Sequence, residues 1–266
     1  MTRRMTGILI CILLLCLYAP NRKLSVSHYE YYSEKVSEAT DGFRIAQISD
    51  LHGWNWGKHQ ETLLRHLEEE APDLIVLTGD LIDETSQNFE PLWDLVRGAA
   101  KIAPVYFAEG NHESVLSEEG QKEIAEIVVR AGGTYLANEA VRIGGNGGFW
   151  LVGMKCDGIL KADIRENLKR DGLTILLSHI PQYMEKYAEY GADLVFSGHA
   201  HGGQVRLPVV GGLYAPGQGL FPKYSAGMYT SGNTTMVVSR GLGGKWYYPR
   251  FGNPPELVIV TLRRKA

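Results

Sequence analysis

The stretch FRIAQISDLH, residues 43–52, decides the fold of this chain. It alternates for the length of one short strand and then ends in Asp50 and His52, as a strand that feeds a functional loop does. The same phrase returns downstream as LIVLTGD (74–80) and PVYFAEGNHE (104–113). Residues 58–70, 88–101 and 117–131 carry a helical period, and Gly132-Gly133 stops the third helix. Strand and helix thus alternate three times, the pattern of a parallel sheet with crossover helices.

The second half is richer in strands. Candidates lie at 141–143, 149–153, 173–178, 193–197, 205–207, 236–239 and 257–262, with helices at 161–169 and 181–190. Glycines crowd 198–219 and 241–244, which predicts long shaped loops. The expected architecture is α/β: two mixed sheets packed face to face, helices outside, and loops converging at one edge.

Chemistry-bearing residues follow the strands. Asp50 and His52 come after the first and Asp80 after the second. Asn111, His112 and Glu113 follow the third, and His179, then His199 and His201, follow two later ones. In a largely parallel arrangement the carboxyl ends of strands share one edge, where ligand sites gather. The i, i+2 spacing of Asp50 with His52, and of His199 with His201, lets each pair face one way in extended backbone. Each motif alone is weak: D-x-H recurs by chance, Gly-Asp usually marks a turn, and a lone histidine is usually structural. The ordered set carries the argument, because five of the eight histidines fall in these strand-end segments. Mixed oxygen and nitrogen donors without thiolate suit borderline divalent ions such as Mn, Fe or Zn.

The series D-x-H, G-D, G-N-H-E, lone His and G-H-x-H, spread over 43 to about 262, resembles the calcineurin-like metallophosphoesterase superfamily. GHAHGGQVRLP, APGQGLFPKYSAGMY and SRGLG resemble its YkuE-type bacterial branch, whose members are typically exported or membrane-attached. The resemblance implies a four-layer αββα sandwich, the metallophosphatase fold, and a dinuclear centre. Asp50, His52 and His201 would hold one divalent ion, Asn111, His179 and His199 the other, and Asp80 would bridge them. His112 would be no ligand but an electrostatic stabiliser and general acid, with Asp83 as its acidic partner. A solvated turn carboxylate is the other reading of Asp83, and Glu113 is open between a structural and a functional role. The implied reaction is hydrolysis of a phosphoester or pyrophosphate bond by metal-bound hydroxide, without a phosphoenzyme. A phosphorylated small molecule or lipid at the cell envelope, such as a UDP-diacylglucosamine-type lipid, is the expected substrate. Nucleotides and wall polymers are the alternative. A non-catalytic metal-binding scaffold would have lost a ligand or His112, and none is missing.

The N-terminus differs in kind. Arg3 and Arg4 precede an uncharged apolar run, GILICILLLCLYA (7–19), which Pro20-Asn21-Arg22-Lys23 closes. It is shorter than the ~20 residues of a comfortable span and fits a signal-peptide core or a short anchor. The expected organisation is a membrane anchor or signal segment at 1–23, a linker at 24–41 and the catalytic domain at 42–266. Positive charge before the run favours a catalytic domain on the extracytoplasmic side. A net charge of −3 leaves no electrostatic footprint for general nucleic-acid binding. Cys11 and Cys16 lie within the apolar run and Cys156 stands alone, so no disulfide framework is expected. His28, His59 and His66 read as surface residues. Trp54 and Trp56 either flank an entrance or cover an edge. Lys223, Tyr224, Arg240 and Trp246, with Tyr247 and Tyr248, are candidates for contact with a substrate or membrane.

Overall fold

A computed structural model describes residues 23–86, 88–156, 162–243 and 250–265, together with Gly7. In chain order, the first-half strands are β1 (Ser25–Ser33), β2 (Arg44–Ile48), β3 (Leu74–Thr78), β4 (Val105–Ala108) and β5 (Thr134–Tyr135). Then come β6 (Glu139–Ile143), β7 (Phe149–Gly153), β8 (Thr174–Leu177) and β9 (Leu194–Ser197). Two small hairpins follow, β10 (Arg206–Leu207) with β11 (Gly211–Gly212) and β12 (Tyr214–Ala215) with β13 (Gly219–Leu220). The chain ends with β14 (Gly227–Ser231), β15 (Thr234–Val238) and β16 (Glu256–Arg264).

These strands build two six-stranded sheets, ordered β1-β16-β2-β3-β4-β5 and β14-β15-β9-β8-β7-β6. In each, four consecutive neighbours run parallel: β2 to β5 in the first sheet, out to its edge, and β15, β9, β8 and β7 in the middle of the second. Antiparallel pairings at β16–β2, β14–β15 and β6–β7 make both sheets mixed.

The alternation of side chains along β2 and β3 explains the layering. Ile45, Leu74 and Val76 meet Leu151, Ile175, Leu194 and Phe196 between the two sheets. Ala46, Ile48, Ile75 and Leu77 point the other way, onto the helices Glu61–Glu70, Glu90–Ala99 and Glu118–Arg130. On the far side, Leu176, Val195, Met236 and Val238 pack with Ile164, Leu168, Met184 and Tyr187 from the helices Ala162–Leu168 and Met184–Tyr190. Strands buried on both faces read as continuous apolar runs, as LIVLT and TILL do. Each such Leu, Ile or Val contributes about 1.5–3 kcal/mol on burial. The result is the four-layer αββα sandwich.

One boundary differs from the sequence expectation. Residues 24–41, read as a linker, contribute the edge strand β1 and a 3-10 turn at Glu38–Thr40. The polar look of SVSHYEYYS hid a strand whose Tyr31 is buried between the sheets. Its polar residues find partners on β16: Ser27 donates to Glu256, and Arg263 pairs with Glu30. The domain therefore begins near the buried Leu24. No helix among the described residues is long and apolar enough to cross a membrane. The apolar run from Ile8 to Ala19 lies outside the described residues, as do Trp246, Tyr247 and Tyr248.

Candidate metal centre

β2, β3 and β4 from one sheet and β8 and β9 from the other end at one edge of the sandwich, and their following loops converge there. Among the described residues, groups of side chains there come close enough to hold a cation, including Asp50–His52–His201, His52–Asp80–His112 and Asp80–His179–His199. All the histidines and aspartates expected as ligands are thus together.

The loops are bent sharply to achieve this. Twelve described non-glycine residues have positive φ, and five of them are Asp50, His52, Asp80, His199 and His201. Left-handed backbone at such residues costs about 1 kcal/mol or more each and persists where the surroundings enforce it. Two glycines show how tight the packing is. A Cβ on Gly198 would lie 2.0 Å from Ser49 Oγ and 2.4 Å from Asp50 Oδ2. One on Gly110 would lie 2.3 Å from Asp80 Oδ1.

Backbone amides of one ligand loop hold the carboxylates of another. His199 N–H donates to both oxygens of Asp50, at 2.9 and 3.2 Å. His112 N–H donates to Asp80 Oδ1 at 2.9 Å. Glu113, buried, accepts four backbone N–H bonds. Its Oε2 takes those of Asp80 and Gly110, and its Oε1 those of Leu81 and Ile82. The open role of Glu113 is thereby given a structural content: it clamps the Asp80 loop to the Asn111 loop. Burial and the nearby Asp80 charge push its carboxyl up to about 7, against the pull of those amides.

The imidazoles are set up as donors. His179 Nδ1–H donates to the Thr78 carbonyl at 2.8 Å, which leaves Nε2 turned to Asp80 Oδ2 at 3.0 Å and Asp50 Oδ1 at 3.9 Å. His52 Nε2 and His201 Nε2 stand 3.3 Å apart, so at most one of them can carry a proton there. Burial pushes His199 down to about 3, and burial with the charge of His52 holds His201 well below the usual imidazole range. Neutral imidazoles with free lone pairs are the ligand form. Burial opposes ionisation of both aspartates. At Asp80 the His179 imidazole overrides it and holds the carboxyl low, whereas at Asp50 burial prevails and pushes it up.

A divalent cation fits these residues. Asn111 Oδ1 is buried and makes no hydrogen bond among the described residues. His179 Nε2 faces Asp80 Oδ2 at 3.0 Å, and there burial is overridden by the Asp80 charge, which pushes the imidazole up to about 10. A divalent cation would take the place of the proton between the two, and the O/N donor set suits borderline divalent ions.

His112 sits beside this cluster, with its ring 4.6 Å from that of His52 and its Nε2 3.8 Å from Asp80 Oδ2. Its Nδ1 contacts the Glu84 carboxylate. Asp83, expected as that partner, belongs to the same Asp83–Glu84–His112 group, and its Oδ1 accepts from the Thr85 amide and hydroxyl. Glu84 was not expected: it adjoins Asp83 in the loop, and both carboxylates lie in the group around His112. Asn253 was missed too: its Nδ2 donates to the His201 and Gln204 carbonyls. So was Arg250, whose guanidinium donates to the Gly243 and Arg240 carbonyls. Gly243 in turn donates to Asp50 O, so Arg250 braces the loop behind Asp50.

Other candidates lie outside the cluster. Trp56 is buried on the helix side, and Trp54 is exposed. Lys223 and Tyr224 are engaged by Glu185, and Arg240 by Glu256 and Ser25. His28 and His59 are exposed and pair with Glu70 and Asp94. His66 pairs with Glu69.

A four-layer sandwich with aspartate and histidine groups able to hold cations at one strand edge, and a buried asparagine oxygen, is the arrangement of a metal-dependent phosphoester hydrolase. The chain belongs to the calcineurin-like phosphoesterase family, whose profile matches residues 43–203. It is 30% identical over 255 residues to the uncharacterized metallophosphoesterase YkuE of Bacillus subtilis (strain 168), covering 92% of this chain and 88% of that protein. It is 32% identical over 204 residues to the phosphodiesterase YaeI of Escherichia coli (strain K12), covering 73% and 72%. Among solved structures, TT1561 of Thermus thermophilus superposes with a TM-score of 0.50 at 12% identity, over 75% of this chain and 89% of that one, and shares the fold.

Proposed function

We propose that the chain hydrolyses a phosphodiester or pyrophosphate bond at a dinuclear centre. Asp50, His52 and His201 would hold one ion and Asn111, His179 and His199 the other, with Asp80 shared between them. The observation that supports this reading is the grouping itself: Asp80 falls in one group with His52 and His112 and in another with His179 and His199, while Asp50 groups with His52 and His201. When bound, such a metal pair supplies an activated water and positive charge for the phosphoryl oxygens. The protein does the rest. Glu84 holds Nδ1 of His112, which leaves Nε2 on the site side to carry the proton handed to the leaving oxygen. Asp80 receives the His112 amide and so fixes that histidine relative to both donor sets.

The phosphodiester preference draws on the YaeI relative, which is a phosphodiesterase by name. A membrane or envelope substrate, a lipid-linked pyrophosphate included, draws on the apolar run at 7–19, read as an anchor with the catalytic domain on the extracytoplasmic side. Hydrolysis of bis-p-nitrophenyl phosphate with added Mn²⁺ tests the reaction class, and metal binding without turnover under any divalent ion would overturn it. Retention at phosphorus with a chiral phosphorothioate in ¹⁸O-water would overturn direct attack by water.

A further inference from the structure

The described surface carries one concentration of large exposed apolar side chains. Leu207, Val209, Val210, Tyr214, Leu220 and Phe221 all fall on the two small hairpins β10–β11 and β12–β13. Tyr214 and Leu220 are cross-strand partners in the second hairpin, the Phe221 amide extends that ladder to the Leu213 carbonyl, and Leu213 directly follows the end of the first hairpin at Gly212. Val209 is fully exposed at the first tip and has φ of 70°, a conformation that β-branched residues avoid. Apolar side chains are being held outward. Such a concentration of exposed large apolar side chains marks an interaction site.

Its place in the fold says what covers it. The hairpins grow from the His201 loop: Leu213 N–H donates to the Gly203 and Val205 carbonyls, and Arg206 N–H to Phe251 O. The segment 251–255 that receives Arg206 also supplies Asn253 to the His201 carbonyl and Pro255 O to the amide of Ser25. Ser25 opens β1. β2 runs towards the metal edge, β16 is antiparallel to it, and β1 is parallel to β16 with Ser25 opposite Glu256. The chain therefore leaves the domain towards its apolar N-terminal run at the metal edge. Five residues, 251–255, join that exit to the base of the hairpins, a reach of at most about 18 Å. Residues 20–24 then separate the exit from the uncharged run at 7–19.

We infer that the β10–β13 hairpin surface docks on a lipid bilayer and turns the metal edge of the sandwich towards the membrane. This rests on the reading of 7–19 as a membrane anchor. The same bilayer that accepts the run lies within reach of the hairpins, and a substrate in the membrane plane would meet the ligand loops without leaving the surface.

The test uses the full chain in vesicles of equal parts phosphatidylcholine and phosphatidylglycerol, with Cys11, Cys16 and Cys156 replaced by alanine. An environment-sensitive fluorophore is placed by Val209→Cys or, on the opposite edge, by Glu38→Cys, beyond the carboxyl end of β16. Lipids brominated on the acyl chain should quench the probe at 209 several-fold more than at 38, and aqueous iodide should do the reverse. Vesicle-bound protein whose probe at 209 is as open to iodide as the one at 38 overturns the docking and leaves the anchor standing. A probe at 209 shielded from both quenchers puts a protein partner, such as a second copy, on the hairpins and also overturns it. A full chain that does not float with the vesicles overturns the anchor reading itself, and the docking with it.

Discussion

Glu113 offers the sharpest structural perturbation of the site. Its two carboxylate oxygens receive four backbone amides, from Asp80, Gly110 and Leu81 at 2.8 Å each and from Ile82 at 3.3 Å. Glu113→Gln keeps the shape but replaces one acceptor by a donor, so two buried amides lose their partner. Each unsatisfied buried amide costs about 1–3 kcal/mol, which makes roughly 2–6 kcal/mol for the substitution. In a domain of this size each kcal/mol lowers Tm by about 2–4 °C, so a fall of roughly 5–20 °C is expected. Glu113→Ala would remove all four bonds and spend much of a typical total stability of about 5–15 kcal/mol, so glutamine is the informative choice. The assay is thermal unfolding of the metal-free protein by circular dichroism, with Mn²⁺ titration beside it. Both should weaken, because the Asp80 and Asn111 loops lose their common clamp. A glutamine variant with unchanged Tm and unchanged Mn²⁺ affinity would refute the clamp.

Three further outcomes are expected. Glu84→Gln should lower kcat about tenfold or more with Mn²⁺ content unchanged, and Asp83→Asn should cost less, because the Nδ1 contact of His112 is to Glu84; the reverse ranking in steady-state kinetics would restore Asp83 as the partner. Asn253→Ala removes two bonds to the His201 loop and should weaken metal binding about 10–100-fold, read by titration against a competing chelator. Burial pushes the Cys156 thiol up to about 12 from an ordinary 9.0. The folded protein therefore holds less thiolate at pH 8, and iodoacetamide should label Cys156 about a thousandfold more slowly than the unfolded chain, as followed by mass spectrometry.

What the sequence made legible follows from where information is local. FRIAQISDLH, LIVLTGD and VYFAEGNHE each carry strand, turn and donor within one short window, so three parallel strands and their ligands could be read together. The two sheets followed from the order of apolar runs, and the clustering of Asp50, His52, Asp80, His179, His199 and His201 from their strand-end positions. β1 escaped because its partner strand lies some 230 residues downstream, and only that partner makes Ser27 and Glu30 compatible with a strand. Asn253 escaped for the same reason, since its bond to His201 spans 52 residues. Glu84 escaped for the opposite one: it adjoins Asp83, and no local rule separates two consecutive carboxylates in a loop. The short strands β10 to β13 have two residues each, and a glycine-rich stretch states neither their pairing nor which side chains face outward.

The central claim is that seven residues divide into two metal sets joined by Asp80, with His112 outside both. Mn²⁺ bound per chain, measured by equilibrium dialysis for the unaltered protein and for His112→Ala, tests it most directly. Two ions in each, with turnover lost only in the variant, is the predicted result. A single ion in the unaltered protein, or one ion fewer in His112→Ala, would contradict it.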